Sequence, residues 1–477
     1  MPDYKTPGVY IEEISVFPPS VAAVETAIPA FIGYTAVDTD KDGNTLVNVP
    51  TRITSLLEYE SIFGKGFVES ITVNVDQTFS NGALTGTSVS FAATPTPSFY
   101  LYYAMQLYFS NGGGPCYIVS IGDYGTAYAE TGFTAAINIL EEKDEPTLLV
   151  FPDACLGTDT NVGNIVVAAL AHCNKMQDRF TIADVRNAIP GGTATDADVT
   201  ANFRTPVSSS DIEQLKYGAA YFPYLNTSIP FFTNDANVQI AAHNVSGTGT
   251  LPTPITGGTA INDNAVKQDQ TIIYNAVKTF LSQKFVTVPP SGAVAGIYAR
   301  VDESRGVWKA PANTGVTRVV GPAINITNDL NDGLNVTDSG KSVNVIRAFK
   351  GKGTLVWGAR TLAGNDNEWR YVPVRRFFIF VEESVKKATE RFVFEPNDAN
   401  TWVKVRSMIE NFLTVQWRAG ALAGPTPESA FFVKVGLNET MSAVDILEGK
   451  MIVEIGMAVV RPAEFIILRF SHKMQEA

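Results

Sequence analysis

Hydrophobic positions along this chain follow two rhythms that change over at recognisable points. Short apolar or β-branched runs bounded by Gly, Pro, Asn or Asp read as strands, and apolar residues at steps of three and four read as helices. Ser20 to Ala36 (SVAAVETAIPAFIGYTA) leaves the Pro18 and Pro19 turn as a buried strand. Ser55 caps a short helix, LLEYESIFG, which Gly64 ends. From Phe67 to Pro97 Thr, Ser, Val and Gly dominate without a helical period, which predicts an inserted hairpin or exposed loop. Ser98 precedes an aromatic helix, FYLYYAMQLYFSNGGG, and PCYIVSIG follows as a strand.

A helix near Glu130 to Lys143, the strand PTLLVFPD, a helix near Val162 to Met176 and the strand RFTIADV come next. This alternation predicts a doubly wound α/β core with a parallel sheet. Gly, Thr and Pro mark loops from Gly191 to Thr205 and from Gly247 to Gly258, and the helix QDQTIIYNAVKTFLSQKF follows the second. Residues 298–369 read as strands and turns.

From Tyr371 onward two long helices dominate. Val374, Phe378, Val381, Val385, Ala388 and Phe392 form one apolar stripe on the first, with Glu382–Lys386 and Glu383–Lys387 as i, i+4 pairs on the solvated side. The second, NDANTWVKVRSMIENFLTVQWRAG, starts at an Asn/Asp cap, carries Trp402, Val405, Ile409 and Phe412 on one face, stops at Gly420 and is expected to pack antiparallel to the first. Strands near Ser429 to Val435, Met451 to Val460 and Glu464 to Phe470 close the chain. Helices over a small sheet make an α+β domain, so the fold class is multidomain, α/β followed by α+β.

The two ends share one property. Pro7, Gly8, Val9, Tyr10, Ile11 and Ile14 near the start, and Glu464, Phe465, Ile466, Ile467, Leu468, Arg469 and Phe470 near the end, are strand-like runs placed after prolines. Proline cannot donate to a ladder, so each run is an edge or a strand start. An unpaired strand is a template for another chain. Two such ends predict polymerisation by strand exchange between copies.

Composition narrows the classes. At 477 residues the chain exceeds one ordinary core, and 45% apolar with 18% charged residues places it among folded proteins. A formal charge of −12 opposes binding to nucleic acid or to anionic membranes. The charge is uneven: residues 1–297 hold 13 basic and 28 acidic side chains, residues 298–369 hold 9 and 7, and residues 370–477 hold 14 and 13. A net-negative surface suits solvent, so the balanced C-terminal third reads as the part packed against other protein. Cys116, Cys155 and Cys173 are odd in number and sit in apolar context, which argues for a reducing cytoplasm rather than a disulfide framework. The N-terminus has no basic region followed by an apolar one, so no Sec export is expected, and no apolar run approaches a membrane span.

No catalytic constellation emerges. Gly340-Lys341-Ser342 resembles the end of a phosphate loop, but Asn335 stands where its first glycine is required. His172 and Cys173 are adjacent, so on a helix they point about 100° apart, and no metal-ligand spacing surrounds them. G-x-S-x-G and a strand-following G-x-G-x-x-G are absent, and Gly112 to Gly114 comes after a helix rather than before one. Arg305, Trp308 and Lys309 in the turn SRGVWKAP read as a domain-junction turn rather than a ligand pocket. The residues thus point to a structural protein, with no enzyme activity, cofactor or metal expected.

PGVYIEEI, PPSVAAVETAIPAFIGYT, SRGVWKAPAN (Ser304 to Asn313), GTLVWGARTLAG and YVPVRRFFIFVEESVKKATERFVFEPND occur in the order seen in contractile phage tail sheath proteins and related injection systems, which this chain resembles. The resemblance covers the N-terminal arm and most of residues 298–477. It implies a subunit of stacked hexameric rings around an inner tube, contracting to drive the tube through a target envelope. It also implies terminal arms that complete neighbours' sheets, and as partners further copies of the chain, the tube protein, and baseplate and terminal cap proteins, with assembly into a tail or injection particle after synthesis in the bacterial cytoplasm. With the element pattern it divides the chain into an N-terminal linking arm (1–20), an outer α/β domain (21–335, with residues 67–97 inserted), an inner conserved domain (336–460, joined by the arm) and a C-terminal linking strand (461–477). A non-contracting tube or capsid protein, and a secreted adhesin or hydrolase, are the alternative classes.

Overall fold

The alternation of strand and helix becomes a nine-stranded sheet in the computed structural model, which describes residues 21–186 and 194–469. Cys116–Asp123, Pro29–Thr35, Leu148–Val150, Phe180–Asp184, Gly218–Phe222 and Val343–Phe349 lie side by side and run parallel. Ile32 stands opposite Val119, Phe31 opposite Val150, and Ile182 opposite Ala219. Parallel strands are covered on both faces, which is why these segments are continuous apolar runs instead of alternating ones. Thr51–Ile53 on one side and Gly353–Trp357 on the other add antiparallel. Asp153 follows the Leu148–Val150 strand, and its buried carboxylate accepts from the backbone N–H groups of Tyr34 (2.9 Å), Tyr100 (2.5 Å) and Leu101 (3.1 Å). It thereby satisfies the first turn of the Leu101–Ser110 helix. Burial pushes this carboxyl up to about 6, against the pull of the three donors.

The expected strand-and-turn region begins with a helix, Ser291–Arg305. Its amphipathic signal is missing because residues 291–298 are buried all round. A Cβ on Gly292 would lie 2.6 Å from the Ala104 carbonyl oxygen, and one on Gly296 2.5 Å from that of Tyr108. Both glycines serve close approach to the Leu101–Ser110 helix, at the expense of the periodicity that would reveal a helix.

Residues 67–97 do contain a hairpin, Ile71–Ser80 with Ala83–Phe91, turning at Asn81 and Gly82, both at positive φ. The hairpin is not self-contained. Val238–Gly247 pairs parallel with its first strand, and the Thr271–Ser282 helix packs on the second.

The segment expected as a loop up to Thr205 is partly helical: residues 196–199 form a helical turn and residues 200–204 a wider one. Residues 187–193 lie outside the described residues. Arg204 is buried and donates to the carbonyls of Lys341 (3.0 Å), Gly333 (2.9 Å) and Leu334 (3.2 Å) and to Asp196 (2.6 Å). The Lys341 ammonium donates back to the Arg204 and Val207 carbonyls, so the phosphate-loop fragment holds this segment in place.

The described residues form two compact units: residues 25–379 with 461–469, and residues 21–24 with Phe380–Val460. The division differs from the expected boundary at 335, because Val343–Phe349 pairs with Gly218–Phe222 and carries residues 336–379 into the large sheet. In the second unit Asp398 caps the Ala399–Arg418 helix, Phe380 and Phe412 meet ring to ring at 5.8 Å, and Val24 N–H donates to Ser384 Oγ at 3.2 Å. Glu383 is buried and takes both Lys386 (3.4 Å) and Lys387 (3.3 Å), the latter being the expected i, i+4 pair.

Replacing Arg204 with Ala leaves several buried carbonyls without donors, and is expected to cost about 3 kcal/mol or more. Lys278→Ala, which removes an exposed pair with Asp235, is expected to cost less than about 1 kcal/mol. Chemical denaturation of the two variants tests the contrast.

Candidate assembly site

Glu464 is the first residue of the C-terminal apolar run and the only one of Glu464–Leu468 held by side-chain bonds. Three elements of the large unit build its socket. Asn335 ends the Asn328–Asn335 helix and donates Nδ2–H to Glu464 Oε1 at 2.6 Å. Arg360 and Tyr371 face each other across an isolated antiparallel bridge, so both side chains reach the same carboxylate. Arg360 donates Nε–H to Oε1 (3.0 Å) and Oε2 (3.2 Å) and an Nη2 hydrogen to Oε2 (2.6 Å), and Tyr371 adds its hydroxyl at 3.1 Å. Charge-assisted, two-pronged contacts of this kind are the stronger class of hydrogen bond.

Arg360 is itself immobilised. Its backbone N–H donates to Asn344 Oδ1 (2.7 Å), its carbonyl accepts from Asn344 Nδ2 (2.8 Å), and Nη1 reaches the Asn335 carbonyl at 3.2 Å. Burial works against the Glu464 charge, but the hydrogen bonds from Arg360 and Asn335 outweigh it and hold the carboxyl below the usual glutamate range.

Beyond Glu464 the character reverses. Phe465, Ile466, Ile467 and Leu468 are 69%, 79%, 77% and 73% exposed, and none pairs with a strand among the described residues. Neighbouring side chains of a strand point to opposite faces, so Phe465 and Ile467 line one face and Ile466 and Leu468 the other. Both faces are apolar, the pattern of a strand covered on both sides. Thirteen of the 24 large apolar side chains exposed among the described residues lie between Val393 and Leu468, which locates most of the unburied apolar surface in the C-terminal part.

The smaller unit holds a two-stranded antiparallel sheet, Phe431–Lys434 with Glu454–Met457. Among the described residues only the isolated Leu422–Val459 bridge extends it. Two strands alone are marginal in water.

The segment feeding the N-terminal arm is also rooted in a buried ion pair. Thr26 Oγ1–H donates to Asp302 Oδ2 at 2.7 Å, and Arg376 donates to Asp302 Oδ1 (3.0 Å) and Oδ2 (2.5 Å) and to the Thr26 carbonyl (2.8 Å). The Arg376 guanidinium stands over the Tyr298 ring at 4.6 Å.

Of the residues singled out in the sequence, Pro7, Gly8, Val9, Tyr10, Ile11, Ile14 and Phe470 lie outside the described residues. Arg305 ends its helix, and Trp308 meets the Phe377 ring edge-on at 6.2 Å. Burial and the Arg305 charge hold the Lys309 ammonium below its ordinary value, and its Nζ donates to the Ala310 carbonyl at 3.3 Å. His172 is buried beside Arg179 (3.3 Å); burial first, then that charge, pushes its pKa down to about 4, while burial pushes the Cys173 thiol up to about 12. The pair is therefore core packing. Among the described residues no three His, Cys, Asp or Glu side chains are grouped to hold a metal ion, and no helix is long and apolar enough to cross a membrane. Asn335, Arg360 and Tyr371 carry no mark in the sequence, since they meet only through the bridge and the helix end. Glu464, the acid that leads the C-terminal apolar run, was the sole signal.

Residues 126–362 match the family profile of the phage tail sheath protein central domain, and residues 364–473 that of the phage tail sheath C-terminal domain. The tail sheath protein of Vibrio phage KVP40 is 27% identical over 133 residues, 27% of this chain, and the match spans 19% of that relative's length. A chain in the baseplate of the anti-feeding prophage is 31% identical with a TM-score of 0.65, over 99% of this chain and 100% of its own. A chain of the PVC extracellular contractile injection system, from its sheath complex in the contracted state, is 30% identical with a TM-score of 0.64, over 98% of each.

A carboxyl with a depressed folded pKa contributes stability that is present above its unfolded value and lost as pH falls through the folded one. The Glu464 socket should therefore hold at neutral pH and open only in acid, below the usual glutamate range. A spin label at Ile466→Cys reads this, because Cys116, Cys155 and Cys173 are buried. Label mobility is expected to stay low across neutral and mildly acidic pH and to rise only below the usual glutamate range, and Glu464→Gln should raise it already at neutral pH. Equal mobility in the two proteins at every pH would show that the carboxylate does not hold the segment.

Proposed function

The chain belongs to the phage tail sheath family, and on that premise we propose that it is the subunit of a contractile sheath, stacking in hexameric rings around an inner tube and shortening to drive the tube through a target envelope. The observation that carries this reading is the apolar Phe465–Leu468 run, exposed beyond a root fixed at Glu464 and paired with no strand among the described residues. Added to a neighbour's sheet, it would supply main-chain hydrogen bonds that need not break while side-chain interfaces rearrange. Such a joint lets subunits slide and stay tethered.

In this reading residues 1–20 and 461–477 are the linking segments, with Pro7, Gly8, Val9, Tyr10, Ile11 and Ile14 at one end and Phe465, Ile466, Ile467, Leu468, Arg469 and Phe470 at the other. An extended arm of twenty residues spans at most roughly 66 Å, enough to cross to a neighbour. The partners are further copies of the chain, the tube protein, and baseplate and terminal cap proteins. Work is done by the stored energy of the extended lattice, so the subunit needs no catalytic group or cofactor. Arg305, Trp308 and Lys309 stiffen the turn after the Ser291–Arg305 helix.

The purified chain is expected to form striated hollow cylinders in negative-stain electron microscopy. A chain truncated after Glu464, and one lacking residues 1–14, should stay folded and soluble without forming them. Normal cylinders from both truncated chains would overturn strand exchange as the basis of assembly.

A further inference from the structure

We propose that Arg360, with Asn335 and Tyr371, is a positioning site for strand donation: by gripping Glu464 it sets the direction and register in which residues 465–469 leave the subunit before a neighbouring copy is met. This rests on the strand-exchange reading above. The argument starts from a degeneracy in the run itself. Strand register is ordinarily enforced by alternation, because a one-residue slip turns the apolar set to the wrong face. Phe465 to Leu468 has no alternation, so a slip would exchange one apolar face for another and pass almost unpenalised. Something outside the run must set its register.

Glu464 meets that need at the first position. Its carboxylate receives four donor groups: Asn335 Nδ2, the Arg360 Nε and Nη2, and the Tyr371 hydroxyl. A planar guanidinium paired with a carboxylate along two edges fixes orientation as well as distance, which a lysine ammonium does not. The socket is rigid, since Asn344 brackets the Arg360 backbone on both sides and Arg360 and Ser342 both donate to the Asn335 carbonyl (3.2 and 2.7 Å). The four apolar residues that follow stay more than two-thirds exposed, so the socket holds the root and leaves the donated part free. Holding a strand in its bound direction lowers the ordering cost at the moment of docking.

The test uses the full chain, with assembly followed by light scattering, lattice order by electron microscopy and folding by thermal unfolding. Arg360→Met should keep an unfolding transition close to that of the parent while assembly slows by about tenfold or more, with cylinders of irregular lattice. Arg360→Lys, which keeps the charge without the fork, should lie between. If Arg360→Met unfolds early, Glu464→Gln carries the same comparison and should likewise slow assembly and disorder the lattice. Should truncation after Glu464 block assembly while these variants build normal cylinders at the parent rate, the positioning role is wrong and strand exchange stands. Should the truncated chain itself assemble normally, strand donation by this end is wrong, and the positioning role falls with it.

Discussion

An exposed apolar run, Phe465 to Leu468, that no strand among the described residues pairs with is the constraint on which the rest of this molecule depends. Burying side chains such as Phe465, Ile466, Ile467 and Leu468 is worth roughly 1.5–3 kcal/mol each, and their backbone groups also need ladder partners. Among the described residues these side chains stay exposed and their backbone joins no ladder. Under the proposed strand exchange, association is where that energy would be released. An exposed apolar run with strand propensity is also an aggregation hazard, so its direction and timing of exposure need control.

Control comes from the rigid part. The large sheet is parallel through its six central strands, buried there on both faces, and tied at a strand end by the buried Asp153. Onto this frame the two outgoing segments are fixed by the same chemistry. Thr26 sits on the Asp302–Arg376 pair, and Glu464 sits in the Asn335, Arg360 and Tyr371 socket. Buried ion pairs contribute little net stability once desolvation is counted, but they are strongly directional. Direction is what a donated strand requires.

Much of the fold was legible because it rests on local rules. Ser55 and Gly64 bound their helix, Asp398 caps the Ala399–Arg418 helix, and the strand–helix alternation yields the parallel sheet. Where a non-local demand competes, the reading departs. Gly292 and Gly296 erase the helical period of Ser291–Arg305 to let another helix approach, and Arg204 turns a loop-like segment into a buried anchor. The unit boundary moves to Ile379 because a parallel pairing joins residues far apart in sequence.

For the assembly site the division is the same. The sequence by itself determined that the C-terminal run is strand-forming, apolar and led by a single acid, since strand propensity and hydrophobicity belong to each residue and its neighbours. It took the tertiary structure to show that this run pairs with no strand among the described residues, and that the acid is held by residues 93 to 129 positions away. Partnership across such distances is a property of how the sheet is ordered in space, and no local pattern encodes it.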